Sequence, residues 1–164
     1  GAGPIGLFQT AVAKWRGAAK VVTTDLEPLA LERAEAMGAT QVHNAGKGPT
    51  PDAGSYDVVV ECSGSPRAVP TAFEAARRGA VMVQVGMLPG EPFPVPFNII
   101  VSKELDVRGS FRFADVYRQA VGLIVAGTID VAPAITATVP LADAVRAFEL
   151  AADRRRSAKV ILTA

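Results

Sequence analysis

Gly1-Ala2-Gly3-Pro4-Ile5-Gly6, followed at residue 25 by an aspartate, is the stretch from which the rest of the chain reads. In such a Gly-x-Gly-x-x-Gly turn each glycine has its own reason. Gly1 permits a tight turn, Gly3 lets backbone approach a pyrophosphate with no Cβ in the way, and Gly6 lets the next helix pack closely on its strand. The helix N-terminus then offers free N–H groups and partial positive charge to phosphate. With Pro4 and Ile5 these residues form the expected cradle. Asp25 ends the next expected strand, where a carboxylate can accept the hydroxyls of an adenosine ribose and repel a 2′-phosphate. The expected dinucleotide is therefore NAD rather than NADP. Two plainer readings stay open: a glycine turn of structural purpose only, and an Asp25 that merely caps the following helix.

Working outward, short β-branched runs bounded by Gly, Pro or Asp predict strands buried on both faces at residues 20–24, 56–62, 80–85 and 158–162, with weaker candidates at 41–44 and 105–109. Helical spacing lies between them. Ile5, Phe8, Val12 and Trp15 recur on one face up to Gly17; Pro28 opens a helix carrying Leu26, Ala30, Ala34 and Met37 that stops at Gly38. Ser65-Pro66 reads as the cap and first turn of a helix through Ala76. Asp115 reads as the cap of one closed by Gly127, with Val116, Ala120, Leu123 and Ile124 on its apolar face. A last helix covers residues 141–152 with Val145 and Phe148 inward. Residues 44–55 read as a loop, and the four prolines of residues 88–98 make that stretch an extended connection. Strands alternating with helices predict an α/β fold, a Rossmann-type doubly wound parallel sheet. A glycine motif of this kind needs a strand before it, so the chain is expected to begin at or just after the first strand of its sheet.

Composition narrows the function. Seventeen basic and sixteen acidic residues give +1, which argues against a nucleic-acid partner. One cysteine and one histidine leave no disulfide framework and no zinc site built from this chain alone. No apolar run approaches a membrane span, and the first residues do not resemble a signal peptide, so no membrane partner and a cytoplasmic location are expected.

In an open parallel sheet, ligands sit beyond the carboxyl ends of the strands. Two such ends carry small or flexible residues, Glu61-Cys62-Ser63-Gly64 and Val85-Gly86-Met87. Cys62 reads as a small thiol lining the site rather than a nucleophile, because no base is evident near it in sequence.

These residues carry a family resemblance. Gly1 to Gly6, Asp25, Met37-Gly38-Ala39, Glu61 to Gly64, the strand Val81 to Met87 and, most tellingly, Lys103-Glu104-Leu105-Asp106-Val107-Arg108-Gly109-Ser110-Phe111-Arg112-Phe113 resemble the cofactor-binding half of zinc-dependent medium-chain dehydrogenases. The likeness is to the polyol or sorbitol type, and is greatest toward its L-idonate 5-dehydrogenase branch. It implies that Ile5 lies against the cofactor and Asp25 holds the adenosine ribose, with Cys62 and Ser63 lining the cofactor site. Val85, Gly86, Met87, Ser110, Phe111 and Arg112 would face the nicotinamide, and Arg112 with Phe113 would border a polyol or sugar-acid substrate such as L-idonate. An arginine fork suits hydroxyls or a carboxylate there; a surface ion pair is the plainer reading of Arg112.

The resemblance also implies that residues 1–132 form the dinucleotide-binding domain and that 133–164 return to a catalytic domain. Zinc would be held by ligands outside this chain, so no catalytic or metal-binding residue is expected within it. This chain by itself would then hold cofactor without catalysing, and the whole enzyme would be a dimer or tetramer. Where polyol dehydrogenases often carry an arginine five residues after the ribose-binding acid, this sequence has Ala30. Two other classes share parts of the pattern: a methyltransferase using S-adenosylmethionine, and a non-catalytic NAD-sensing regulatory domain. A short-chain dehydrogenase is disfavoured because neither Tyr56 nor Tyr117 has a lysine four residues later.

Overall fold

The computed structural model describes residues 1–48 and 52–164. Its elements run α1 Pro4–Trp15, β1 Val22–Asp25, α2 Pro28–Ala36, β2 Gln41–Asn44, β3 Tyr56–Glu61, α3 Ala68–Ala75, β4 Ala76–Gln84, α4 Asn98–Lys103, β5 Asp106–Gly109, α5 Tyr117–Val125, β6 Ile135–Pro140, α6 Ala144–Ala152 and β7 Lys159–Thr163. Short 3-10 turns occupy Ala114–Val116, Ala132–Ala134 and Leu141–Asp143. Every described strand pair is parallel: β1 with β2, β3 with β4, β4 with β5, and β6 with β7. The class is α/β, as the alternation of strands and helices requires. The chain divides into two compact units, Gly1–Lys47 together with Ala114–Ala164, and Gly48–Phe113. The loop read at residues 44–55 lies in part, at 49–51, outside the described residues.

The first unit packs around Ala2, Leu7, Ala30, Ala34, Met37 and Ala134. In α1 the buried residues are Gly6, Leu7 and Thr10, whereas Ile5, Val12 and Trp15 are substantially exposed. Of the stripe read from the sequence, Phe8 packs against this core, while the other three face outward. Small residues on the buried face let α1 approach β1, and the polar group they carry is satisfied. The Thr10 hydroxyl donates to the Gly6 carbonyl at 2.9 Å, which leaves the Thr23 hydroxyl to donate to Thr10 Oγ across 2.8 Å.

In α2, Ala30, Ala34 and Met37 are buried as expected, but Leu26 is exposed. Gly38 stops this helix at φ +101, its N–H donating to the Glu35 carbonyl and that of Ala39 to Ala34. β6 is a strand the sequence did not suggest. α6 turns Ala147 inward and leaves Val145 and Phe148 at 76% and 72% exposed, so the inward placement of those two is corrected: the small side chain, not the bulky ones, makes the close approach. In α5, Asp115 is no side-chain cap; it sits inside the preceding 3-10 turn. Val116 and Ile124 are exposed.

In the second unit, α3 and α4 help close a core of Val69, Ala72, Phe73, Ala76, Ala80, Met82 and Leu105. The proline-rich connection lays Leu88, Phe93 and Val95 against it. Ser65 does not cap α3: the helix starts at Ala68 with Arg67 at the N-cap and no side-chain cap bond, and only the Ser65 carbonyl takes part, accepting Ala68 N–H at 2.9 Å. β3 is not buried on both faces, as Val58 is exposed. Lys103 ends α4 with its ammonium donating to the carbonyls of Phe73, Glu74 and Ala76 at 3.0, 2.8 and 2.7 Å. That places a cation at the carboxyl end of α3, where the helix dipole favours one.

Candidate functional site

The glycine turn and Asp25 lie together in the first unit. Gly3 is the N-cap residue of α1 and Pro4 opens the helix, with no side chain capping it. Pro4 has no N–H, so the next amides, Ile5 and Gly6, are the first that the helix start presents without an intrahelical acceptor. A Cβ built on Gly3 meets nothing within 4 Å, and Gly3 is exposed, so the space in front of the turn is open. Asp25 ends β1. Its Oδ2 accepts the Ala2 N–H at 2.6 Å, and its Oδ1 accepts those of Leu26 and Glu27 at 2.8 and 3.0 Å. Both latter amides precede α2, which starts at Pro28, so Asp25 binds the glycine turn and the connecting turn rather than capping that helix. A carboxylate has about four acceptor positions; these three bonds leave room on Oδ2. Ala30, where the resemblance would place an arginine, is 8% exposed within the core.

The remaining expected residues gather on one edge of the second unit. Glu61, Gln84 and Gly109 stand in register across β3, β4 and β5. Cys62 and Ser63, Val85 to Met87, and Ser110 to Phe113 therefore leave the same carboxyl edge of one parallel sheet. The Glu61 carbonyl accepts the N–H groups of both Val85 and Gly86 at 2.9 Å, and the Gln84 carbonyl accepts that of Ser110 at 3.0 Å. Met87, Phe111 and Phe113 are exposed at this rim. Arg112 sits at φ +59 with its guanidinium 4.9 Å from the Phe111 ring centroid, a cation–π arrangement. Burial pushes the Cys62 thiol above its ordinary range, and the neighbouring Glu61 carboxylate adds to the rise. That suits a lining residue rather than a thiolate nucleophile.

Glu61 and Gln84 were not anticipated as site residues. Glu61 is 4% exposed. Its Oε1 accepts the N–H of Ser63 at 2.7 Å and also the Ser63 hydroxyl; its Oε2 accepts Gly64 N–H at 3.1 Å and Gln84 Nε2 at 2.6 Å. The available signal was an ionisable residue closing the apolar run Val58-Val59-Val60.

Among the described residues, no group of three or more His, Cys, Asp or Glu side chains is placed to hold a metal ion, and no helix is long and apolar enough to cross a membrane.

A family model described as zinc-binding dehydrogenase matches residues 4–126, and the chain belongs to that family. Its relatives include L-idonate 5-dehydrogenase (NAD(P)(+)) of Escherichia coli strain K12, 36% identical over 166 residues that cover 99% of this chain and 48% of that protein. Sorbitol dehydrogenase of Mus musculus is 34% identical over 160 residues, covering 92% of this chain and 44% of that protein. The crystal structure of the E. coli L-idonate 5-dehydrogenase superposes with a TM-score of 0.93 at 35% identity, over 100% of this chain and 48% of that one. The fold is thus the Rossmann-type α/β fold of zinc-binding dehydrogenases, and the chain spans about half the length of the curated relatives it matches.

Proposed function

We propose that this chain is the NAD(H)-binding half of a dehydrogenase that moves a hydride between NAD and a polyol or sugar acid such as L-idonate. The observation that carries the reading is the Asp25 carboxylate seated on the glycine turn through Ala2 N–H at 2.6 Å. Gly1, Gly3, Pro4, Ile5 and Gly6 cradle a diphosphate at the start of α1, where open space before Gly3 admits it. Asp25 receives a ribose hydroxyl on Oδ2, and its charge disfavours a 2′-phosphate. Cys62, Ser63, Val85, Gly86, Met87, Ser110, Phe111 and Arg112 form the seat of the nicotinamide end, at the carboxyl edge of their own parallel sheet, where open α/β sheets bind ligands. The bound nicotinamide accepts or returns the hydride.

Arg112 and Phe113 border the substrate. The guanidinium, held over Phe111, presents donors to hydroxyls or to a sugar-acid carboxylate. Among the described residues no group of three or more His, Cys, Asp or Glu side chains is placed to hold zinc. The family assignment lends no support to a methyltransferase or a regulatory sensor. Calorimetric titration of the chain with NADH, NADPH and S-adenosylmethionine tests the reading: NADH binds most tightly. Absence of NADH binding, or tighter binding of S-adenosylmethionine, overturns it.

A further inference from the structure

We propose that Glu61 and Gln84 are positioning residues, a buried polar clasp that locks the Cys62–Gly64 and Val85–Met87 loops into one rim and so places the nicotinamide half of the cofactor. The proposal rests on the cofactor reading above. A carboxylate buried to 4% exposure is tolerated only when hydrogen bonds replace its water, and here every facing group is a donor: the N–H and hydroxyl of Ser63, the N–H of Gly64 and the amide of Gln84. A carboxylate is the side chain that only accepts. A glutamine at position 61 would turn an NH2 toward donors.

Gln84 spends both of its amide hydrogens across the gap between the loops, one on Glu61 Oε2 at 2.6 Å and one on the Gly86 carbonyl at 2.8 Å. The Ser63 hydroxyl gives its proton to Glu61 and accepts the N–H of Ser65 at 3.1 Å, extending the network into the approach to α3. The loops are also in backbone contact. A Cβ on Gly86 would collide with the backbone of Gly64 and lie 2.6 Å from Glu61 Oε2; a Cβ on Gly64, which sits at φ +67, would collide with the Met87 carbonyl. The spacing of the two loops is therefore set by this network.

The test separates the two halves of the cofactor. Gln84→Met removes both bridging bonds without stranding a new charge, and Glu61→Gln reverses one face of the clasp. Each variant is titrated calorimetrically with NADH and with ADP, which keeps the adenosine and diphosphate but lacks the nicotinamide riboside. NADH affinity is expected to fall about tenfold, the equivalent of one charge-assisted hydrogen bond, while ADP affinity stays near the parent value; the thermal midpoint of Gln84→Met falls, because the buried Glu61 carboxylate loses one donor. Equal loss for both ligands, or no loss for either, overturns the clasp while leaving the cofactor reading intact. A parent chain that binds neither ligand overturns both. Should Glu61→Gln not fold, Gln84→Met decides the outcome.

Discussion

The carboxylate of Asp25 accepts the backbone N–H of Ala2 at 2.6 Å, so the end of β1 grips the turn from which α1 starts. Asp25→Asn keeps the shape but removes the charge and points an amide either at Ala2 N–H or at those of Leu26 and Glu27. NADH affinity is expected to drop about tenfold and the preference over NADPH to shrink. Unchanged affinity for both cofactors in parallel titrations would remove Asp25 from the site.

Lys103 holds three carbonyls at the end of α3. Lys103→Met retains the stem and abolishes the donors, leaving those carbonyls short of partners. A loss of about 1–3 kcal/mol is expected in urea denaturation. A midpoint equal to that of the parent would show that water or backbone substitutes for the ammonium.

Cys62 carries a thiol raised chiefly by burial, with a smaller rise from Glu61. The folded state thus favours the neutral thiol. This contribution to stability is present below the ordinary thiol range and is lost as pH rises through the raised value. Iodoacetamide should label Cys62 more slowly than free cysteine at neutral pH, with the rate climbing only in more alkaline buffer, and urea should abolish the protection. Labelling as fast as free cysteine at pH 7 would contradict the assigned burial.

Phe148 and Phe73 make a matched pair. Phe148 is 72% exposed on α6 and Phe73 is 3% exposed in the core of the second unit. In this chain Phe148→Ser is expected to change stability by less than about 0.5 kcal/mol, whereas Phe73→Ala costs about 3–5 kcal/mol. A large loss at Phe148 would restore the inward face that the sequence suggested.

Local chemistry explains which parts of the structure could be read in advance. Pro28 and Gly38 act within a few residues of themselves, so α2 was legible at both ends. The glycine turn and Asp25 were legible because a strand, a turn, a helix and an acid had to fall in order. Faces were less legible than elements: helical spacing marked Ile5, Val12, Val145 and Phe148, yet close packing favoured Gly6, Thr10 and Ala147, where a small side chain permits approach. β6 was missed because its sequence, Ile135-Thr-Ala-Thr-Val-Pro140, is weakly apolar and becomes a strand by pairing with β7. Glu61 could not be assigned from sequence, since its role depends on donors brought in from β4 and from the loop after β3.

The interlock of Gly64 with Gly86 limits how this rim can be re-engineered. A methyl group added to either loop strikes the other, so neither can be remodelled singly at these positions; substitutions would have to come in compensating pairs. Met87, whose exposed side chain flanks the same junction, is where a single change can alter the contour while the junction beneath keeps its shape.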